Sequence, residues 1–366
     1  MELSVPMEPV TNSNPLERLE APPMLYKPSS PVEVTVVENV RLTPEDYSEE
    51  IRHIVLDLKG TDYRYLEGQS MGVIAPGEDE RGKPHRVRLY SIASPAMGEP
   101  DNPSHVALCV KRVVFEEGQE TFYGLCSNYL CDVKPGDKVT ISGPNGKRFV
   151  MPRDPDVDLL LFAAGTGIAP FRGFFMRLAG LPVEERSNIV LYYGSRRMED
   201  HVYYNDINND LGNLLDSKNV IHSALSRQDP GVKMHVQDRF RLEPGPVEEA
   251  LKRGNFLVYI CGIKGMEKGI EDDESVSLSG DSGGKAELLR LLEATKQPVI
   301  LACNDVMGLW GRSSSTWRNT KDRFSRHLIT ITFDRVSDEA LRRIARRVLR
   351  QESIDYTNEA IDALIK

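Results

Sequence analysis

Between residues 32 and 155 the apolar positions fall in short runs that alternate with polar ones. Residues 34–37, 51–56, 106–110 and 138–142 are rich in β-branched and apolar side chains. Turn formers separate them, among them Pro135-Gly136-Asp137 and Gly143-Pro144-Asn145-Gly146. Period-two runs bounded by Gly and Pro predict strands, and many short strands without long helical patterns predict an antiparallel β-barrel.

At residue 156 the pattern changes. Residues 159–164 form an unbroken apolar run that ends in Gly165-Thr166-Gly167, and a helical pattern follows over 170–178. Two further unbroken runs occupy 189–194 and 257–262. Continuous apolar strands alternating with helices predict a parallel α/β sheet buried on both faces. The chain therefore reads as α+β and multidomain, a barrel followed by an α/β domain. Residues 275–285 are small and polar, as in a linker. After them the pattern predicts a helix over 286–295, a strand over 298–303, a polar loop over 312–326 and a strand over 328–333. A last helix can be capped by Ser337, with Ala340, Leu341, Ile344, Val348 and Leu349 on one face. This stretch reads as a small appended α/β-helical segment.

Composition narrows the function classes. The 366 residues are 40% hydrophobic and 28% charged, with a net charge of −9. That balance argues against a general nucleic-acid binder, which needs a basic face. The charge is uneven: residues 286–366 hold fourteen Lys and Arg against eleven Asp and Glu. The five cysteines, Cys109, Cys126, Cys131, Cys261 and Cys303, form no Cys-x-x-Cys pair and no metal-binding spacing. An odd, scattered set suits a reducing, cytoplasmic setting. No apolar run is long enough for a membrane span. Residues 1–31 lack the apolar core of a signal peptide and, being rich in Pro, Glu and Ser, read as a disordered leader.

Three motifs carry chemistry. Arg88-Leu89-Tyr90-Ser91 offers a bidentate cation for a pyrophosphate, a flat ring, and a hydroxyl for a ring nitrogen. Gly165-Thr166-Gly167, between an apolar strand and a helix with Pro170 in its first turn, lets a backbone approach a phosphate at helix N-terminal amides. Cys261 stands at the carboxyl end of a strand, where open α/β sheets place their ligands, inside Cys261-Gly262-Ile263-Lys264-Gly265-Met266-Glu267. Taken singly, these read as an ordinary exposed strand, a tight strand–helix turn and a small buried hydrophobe. Their order along the chain is what gives them weight.

With these motifs, residues 32 to about 270 resemble plant-type ferredoxin–NADP reductases, in detail the relatives that serve as reductase components of oxygenase systems. Leu108-Cys109-Val110-Lys111-Arg112 and Gly124-Leu125-Cys126-Ser127-Asn128-Tyr129-Leu130-Cys131 match further segments of that family in order. The resemblance implies a FAD-dependent NAD(P)H oxidoreductase that passes electrons between NADPH and a ferredoxin-like or iron–sulfur partner. No iron–sulfur cysteine spacing is present, so that partner would be a separate chain or domain. It further implies that Arg88, Tyr90 and Ser91 hold FAD, with Ser91 near the reacting ring nitrogen. Lys111, Cys126 and Ser127 would line the rest of that site. Gly165, Thr166 and Gly167 would receive the NADP pyrophosphate, Ser226, Arg227 and Lys233 its 2′-phosphate, and Cys261 would lie by the nicotinamide. Ser91 and Cys261 are thus the catalytic candidates. His235 stands where the family usually has a Tyr that stacks on adenine.

The implied domains are a FAD-binding barrel over 32–155 and an NAD(P)-binding α/β domain over 156–272, with a linker over 273–285. The family continues with a helix, a strand, an acidic residue and often a terminal aromatic, and past Glu271 this sequence leaves that pattern. Residues 286–366, with the preceding Asp273-Glu274, resemble part of a clamp-loader large subunit, an AAA+ ATPase, whose sensor strand would be 298–305. No Gly-x-x-x-x-Gly-Lys-Ser/Thr occurs anywhere, so ATP is not expected to bind. Arg342, Arg343, Arg346 and Arg347 read as a solvated helix face, with no nucleic-acid or membrane partner expected. The alternative reading is a non-enzymatic fusion, a truncated reductase joined to an ATP-incompetent segment.

Overall fold

Alternation along the first half builds a closed barrel. The structure, a computed structural model, describes residues 18–79, 81–117, 120–262, 299–303 and 328–332. The barrel strands are β1 (Val32–Arg41), β2 (Ile51–Asp57), β3 (Ser70–Ile74), β4 (Arg88–Ser91) and β5 (His105–Lys111). After a hairpin of β6 (Val114–Glu117) and β7 (Glu120–Tyr123), and helix α1 (Leu125–Asp132), comes β8 (Lys138–Asn145). The order is β4-β3-β8-β1-β2-β5, with antiparallel pairing throughout. Ile92, just past β4, bridges Leu108 of β5, and the Ala93 amide donates to the Ala107 carbonyl at 2.8 Å, which closes the ring. In β1, Val34 and Val36 point inward and are buried, while Val37 and Val40 face solvent. Ile54, Leu56, Met71, Val73, Leu108, Val139 and Ile141 fill the interior with them.

The leader expected to be disordered spans 1–31; residues 1–17 lie outside the described residues, and 18–31 correct the expectation. They run along the barrel as an ordered strap. Tyr26 exchanges backbone hydrogen bonds with Gly143 at 2.9 and 2.7 Å, and its ring stacks on Tyr63 at 6.1 Å. The Leu19 amide reaches the Met151 carbonyl at 3.0 Å. Proline lacks an amide donor, but the remaining backbone groups of a Pro-rich segment still bond, and composition does not report that.

The second half is doubly wound. It contains β9 (Asp158–Ala164), a 3-10 turn at Gly165–Ile168, α2 (Ala169–Ala179), β10 (Ile189–Ser195), β11 (Asn219–Leu225), α3 (Val236–Leu242), α4 (Gly245–Arg253) and β12 (Phe256–Cys261). Strands β13 (Val299–Cys303) and β14 (Leu328–Thr332) complete the order β11-β10-β9-β12-β13-β14. β9 pairs in parallel with both β10 and β12, so the sheet changes direction of growth between β9 and β12. Every residue of β12 is buried, as a strand covered on both faces requires.

β13 was expected in an appended segment beyond a linker. It instead runs parallel to β12, with Val258 opposite Val299 and Cys261 opposite Ala302. An apolar strand at a sheet edge leaves a row of unpaired amides and carbonyls, and a fifth strand satisfies them. The Asp273-Glu274 pair, Asn304-Asp305 and the helices expected over 286–295 and from Ser337 onward lie outside the described residues.

Barrel and α/β sheet share one compact unit. Tyr259 of β12 donates to the Val150 carbonyl at 2.7 Å and packs edge-on against Phe149 and Phe174. Arg172 of α2, almost wholly buried, grips Glu99 with two hydrogen bonds of 2.7 and 2.9 Å and donates to the Ala93 carbonyl at 2.9 Å. Among the described residues no helix is long and apolar enough to cross a membrane.

Candidate active site

The barrel end carries the first cluster. Arg88 opens β4 and is exposed, and its guanidinium makes only a weak 3.4 Å bond to the Val87 carbonyl. Among the described residues it forms no ion pair. Tyr90 is half-buried against the barrel core beside Cys126, and burial raises its phenol's pKa. Ser91 is half-buried at the end of the strand, paired with Ser70. Helix α1 begins after Gly124 with no side-chain cap and no acid in its first turn. The amides of that turn therefore lack helical partners and form a positive end next to β4.

The side chains of α1 are already engaged. Cys126 is buried, with its sulfur 3.9 Å from the Val73 carbonyl, and burial raises its pKa. The Ser127 hydroxyl donates to the Gly124 carbonyl at 3.0 Å and accepts from the Val113 amide at 3.2 Å. Lys111 pairs with Glu49, whose other oxygen takes Arg196 from the α/β half. Burial alone would raise the Glu49 pKa, and the hydrogen bonds and charges of Lys111 and Arg196 outweigh it and lower it.

The second cluster sits at the carboxyl ends of β9 and β12. There two loops are pressed together. A β-carbon on Gly167 would lie 2.3 Å from the Cys261 carbonyl oxygen, and one on Gly262 would lie 2.1 Å from that of Ala164. Gly262 also has φ of +89°, a backbone region that L side chains rarely adopt. Gly165 differs: a β-carbon there would meet nothing within 4 Å, so its backbone faces open space. Thr166 is half-buried, its carbonyl accepting from Ala169 at the start of α2. Helix α2 is uncapped by any side chain and has no acid in its first turn.

The third cluster lies past β11. Ser226 is half-buried, and its amide donates to the Ser195 carbonyl at 3.0 Å. Arg227 and Lys233 are exposed and form no ion pair among the described residues. His235 caps α3, its backbone amide donating to the Asp238 carboxylate at 3.0 Å.

The structure brings the first two clusters to one seam. Ala93, two residues past Ser91, bonds to Arg172, and the backbone of Ser94 is 3.0 Å from where a β-carbon of Gly173 would stand. Gly167, which touches Cys261, lies five residues before Arg172. Arg172 belongs to the motif Gly165-Thr166-Gly167-Ile168-Ala169-Pro170-Phe171-Arg172, yet motif reading assigns it no role. Its burial, its bonds to Glu99 and Asp210, and its place 5.0 Å over the Tyr203 ring are tertiary facts. The open first turn of α1 was equally hidden, because Leu125–Asp132 carries no helix signature in sequence.

Known proteins resemble this chain in sequence and in fold. Residues 40–149 match the oxidoreductase FAD-binding domain family, and residues 161–272 the oxidoreductase NAD-binding domain family. A ferredoxin–NADP reductase of Spirulina sp is 38% identical over 268 residues, spanning 71% of this chain and 91% of that protein. The chain belongs to the ferredoxin–NADP reductase family. A chloroplastic ferredoxin–NADP reductase of Oryza sativa subsp. indica, leaf isozyme 1, is 40% identical over 265 residues, 70% of this chain and 72% of its own. The ferredoxin–NADP+ reductase of Plasmodium falciparum superposes with a TM-score of 0.57 at 23% identity, covering 76% of this chain and 98% of that one, a likeness of fold. Membership makes the chain an oxidoreductase with FAD and NADP as its cofactors, and the non-enzymatic alternative finds no support.

The residues present fit both groups. An uncapped helix end beside an unpaired Arg88 suits a dinucleotide pyrophosphate on the barrel side. The open backbone at Gly165, at the start of an uncapped α2, suits a second one on the α/β side.

Proposed function

We propose that the chain transfers electrons between NADPH and a ferredoxin or another iron–sulfur protein through FAD. The observation that carries this reading is the seam itself. The end of β4 and the switch point between β9 and β12 are fastened to one another through Arg172, so two dinucleotide sites share one boundary. When bound, FAD supplies what no side chain can, accepting an electron pair and releasing it one electron at a time.

The chain's own part is binding, orientation and exclusion of water. Arg88 and the α1 amides neutralise the FAD pyrophosphate, Tyr90 flanks the ring, and Ser91 offers its hydroxyl to the ring's edge. Gly165, Thr166 and Gly167 receive the NADP pyrophosphate, and Cys261 borders the nicotinamide. Arg227 and Lys233, two unpaired cations, grip the 2′-phosphate with Ser226, and His235 lies against the adenine. Lys111 acts through Glu49, and Cys126 and Ser127 contribute backbone more than side chain. The functional domains are 32–155 and 156–272, with β13 and β14 extending the second sheet. Residues 286–366 bind no ATP on this reading, because the sequence holds no Gly-x-x-x-x-Gly-Lys-Ser/Thr.

Turnover with NADPH and NADH, each with a plant-type ferredoxin and with ferricyanide as acceptor, tests this reading. The expected result is NADPH-driven ferredoxin reduction with about tenfold or greater preference over NADH, roughly 1.4 kcal/mol of discrimination. Turnover with ferricyanide but none with ferredoxin removes the iron–sulfur partner. Equal efficiency with the two nicotinamides removes the 2′-phosphate grip.

A further inference from the structure

A chain of hydrogen bonds centred on a buried histidine runs beneath the proposed 2′-phosphate loop. His201 follows the 3-10 turn Met198–Asp200 and has no solvent-exposed surface. Its Nδ1 is 2.8 Å from the Ser195 hydroxyl, and its Nε2 is 3.0 Å from the Ser223 hydroxyl. The ring lies flat on Tyr193, with centroids 3.9 Å apart and planes 18° from parallel. Ser195 closes β10, and Ser223 stands within β11, so one imidazole spans two neighbouring strands.

The direction of the chain follows from counting protons. The Ser195 hydroxyl has one, and it donates that to the Arg197 carbonyl at 2.9 Å. It must therefore accept from His201, which places a proton on Nδ1. Burial holds the imidazole neutral, lowering its pKa to about 3. Nε2 then carries a lone pair, and the Ser223 hydroxyl donates to it. Each of the three protons in the chain is donated once, and all run in one direction.

What the chain holds is the loop pair above it. The Ser195 carbonyl accepts from the Ser226 amide at 3.0 Å, and the Arg196 carbonyl accepts from the Arg227 amide at 2.7 Å. Met198 adds a third tie, its amide donating to the Gln228 side chain at 2.9 Å. The backbone of Ser226 and Arg227, and the side chain of Gln228, are thus hung from residues 195–198. His201 fixes the first of these through its side chain.

We propose that His201 is a positioning residue for nicotinamide selection, locked in the neutral Nδ1–H form between Ser195 and Ser223 so that Ser226 and Arg227 present one geometry. This rests on the reading that Ser226 and Arg227 hold the NADP 2′-phosphate. His201 touches no cofactor itself. It acts on the part of NADPH that NADH lacks, so its loss weakens NADPH alone.

Two measurements test this on the full-length holoenzyme. Nitrogen NMR of labelled histidine at pH 7 reads the tautomer directly, and a neutral Nδ1–H signal for His201 is expected. A protonated ring or an Nε2–H form overturns the proposal. Kinetics supply the second readout. Ser195→Ala and His201→Phe, which keeps the stack on Tyr193, should raise KM for NADPH about five- to tenfold, the size of one lost hydrogen bond. KM for NADH and kcat should move less than about twofold. His201→Asn, whose amide can donate to Ser195, should recover part of the loss. Equal rises in both KM values, or none, overturn the proposal. Arg227→Ala separates the two levels. Lost discrimination there, but not in the Ser195 and His201 variants, sinks this inference alone, while unchanged discrimination in Arg227→Ala sinks the 2′-phosphate reading and this inference with it.

Discussion

The two halves of the site prepare for their ligands in opposite ways. On the barrel side half of the candidate side chains are already committed: Lys111 to Glu49, Ser127 to Gly124 and Val113, Cys126 to the barrel wall. On the proposed reading, recognition there falls to backbone amides and to Arg88, Tyr90 and Ser91, of which Arg88 forms no ion pair among the described residues. On the α/β side Arg227 and Lys233 form no ion pair among the described residues, and the backbone at Ser226 and Arg227 is tied down. A backbone site binds one ligand and tolerates side-chain change. A side-chain site is easily retuned, which suits the half that distinguishes one nicotinamide from another.

The contrast requires a rigid seam, and the largest effect lies there. Glu99→Ala leaves the buried Arg172 guanidinium with Asp210 as its remaining carboxylate. Removing one partner of a buried pair costs about 3–5 kcal/mol, and the surviving Asp210 places this change near 3. Urea unfolding of both proteins measures it, and a loss below about 1 kcal/mol shows that the seam is held elsewhere.

The glycines of the switch point sharpen the comparison next. Gly262→Ala forces a β-carbon into the Ala164 carbonyl at a positive φ, and should destabilise by about 2–3 kcal/mol. Gly165→Ala meets open space and should destabilise by only about 1–2 kcal/mol, from its φ of +54°. Its methyl nevertheless stands where the proposed reading brings a pyrophosphate, so its KM for NADPH should rise. Thermal unfolding separates the pair, and equal losses would show that the space beside Gly165 does not matter.

On the barrel side, Arg88→Ala should weaken FAD retention by about 2–3 kcal/mol, the loss of a charge-assisted contact. Cys126→Ala should leave it nearly unchanged, because the thiol faces the barrel wall. Flavin release on dilution measures both. A Cys126 effect as large as that of Arg88 would show that side chains govern this half too.

Much of this was legible in sequence, for physical reasons. Val34 and Val36 against Val37 show the barrel's inside and outside by alternation alone. The run 159–164 is apolar throughout because β9 is covered on both faces. The strap at 18–31 and the pairing of β13 with β12 were not legible, since both are backbone hydrogen bonds between distant segments. Helix α1 escaped because Cys126, Ser127 and Asn128 are indifferent helix formers and nothing caps it. Arg88 and Arg227 were found as charges. That Arg88 forms no ion pair among the described residues while Lys111 does is a fact of packing.

A pH effect follows from His53 of β2. It is buried, accepts or donates to the Tyr203 hydroxyl at 2.9 Å, and has its pKa lowered to about 3 by burial first and then by Arg172. In the unfolded chain it titrates near 6.5. Its contribution is therefore complete above about pH 6.5 and is lost progressively toward pH 3, as the unfolded state takes up the proton first. Between pH 7 and pH 5 that amounts to about 2 kcal/mol from this residue. Unfolding midpoints of wild type and His53→Gln at the two pH values check it, and the variant should show the shallower decline.

The most direct measurement is an anaerobic titration of the purified protein followed by visible absorbance. The account predicts a protein that holds about one FAD per chain, loses its flavin absorbance on adding NADPH, and responds far less to equal NADH. A colourless protein that fails to take up added FAD, or a flavin that NADPH leaves unchanged, would contradict it.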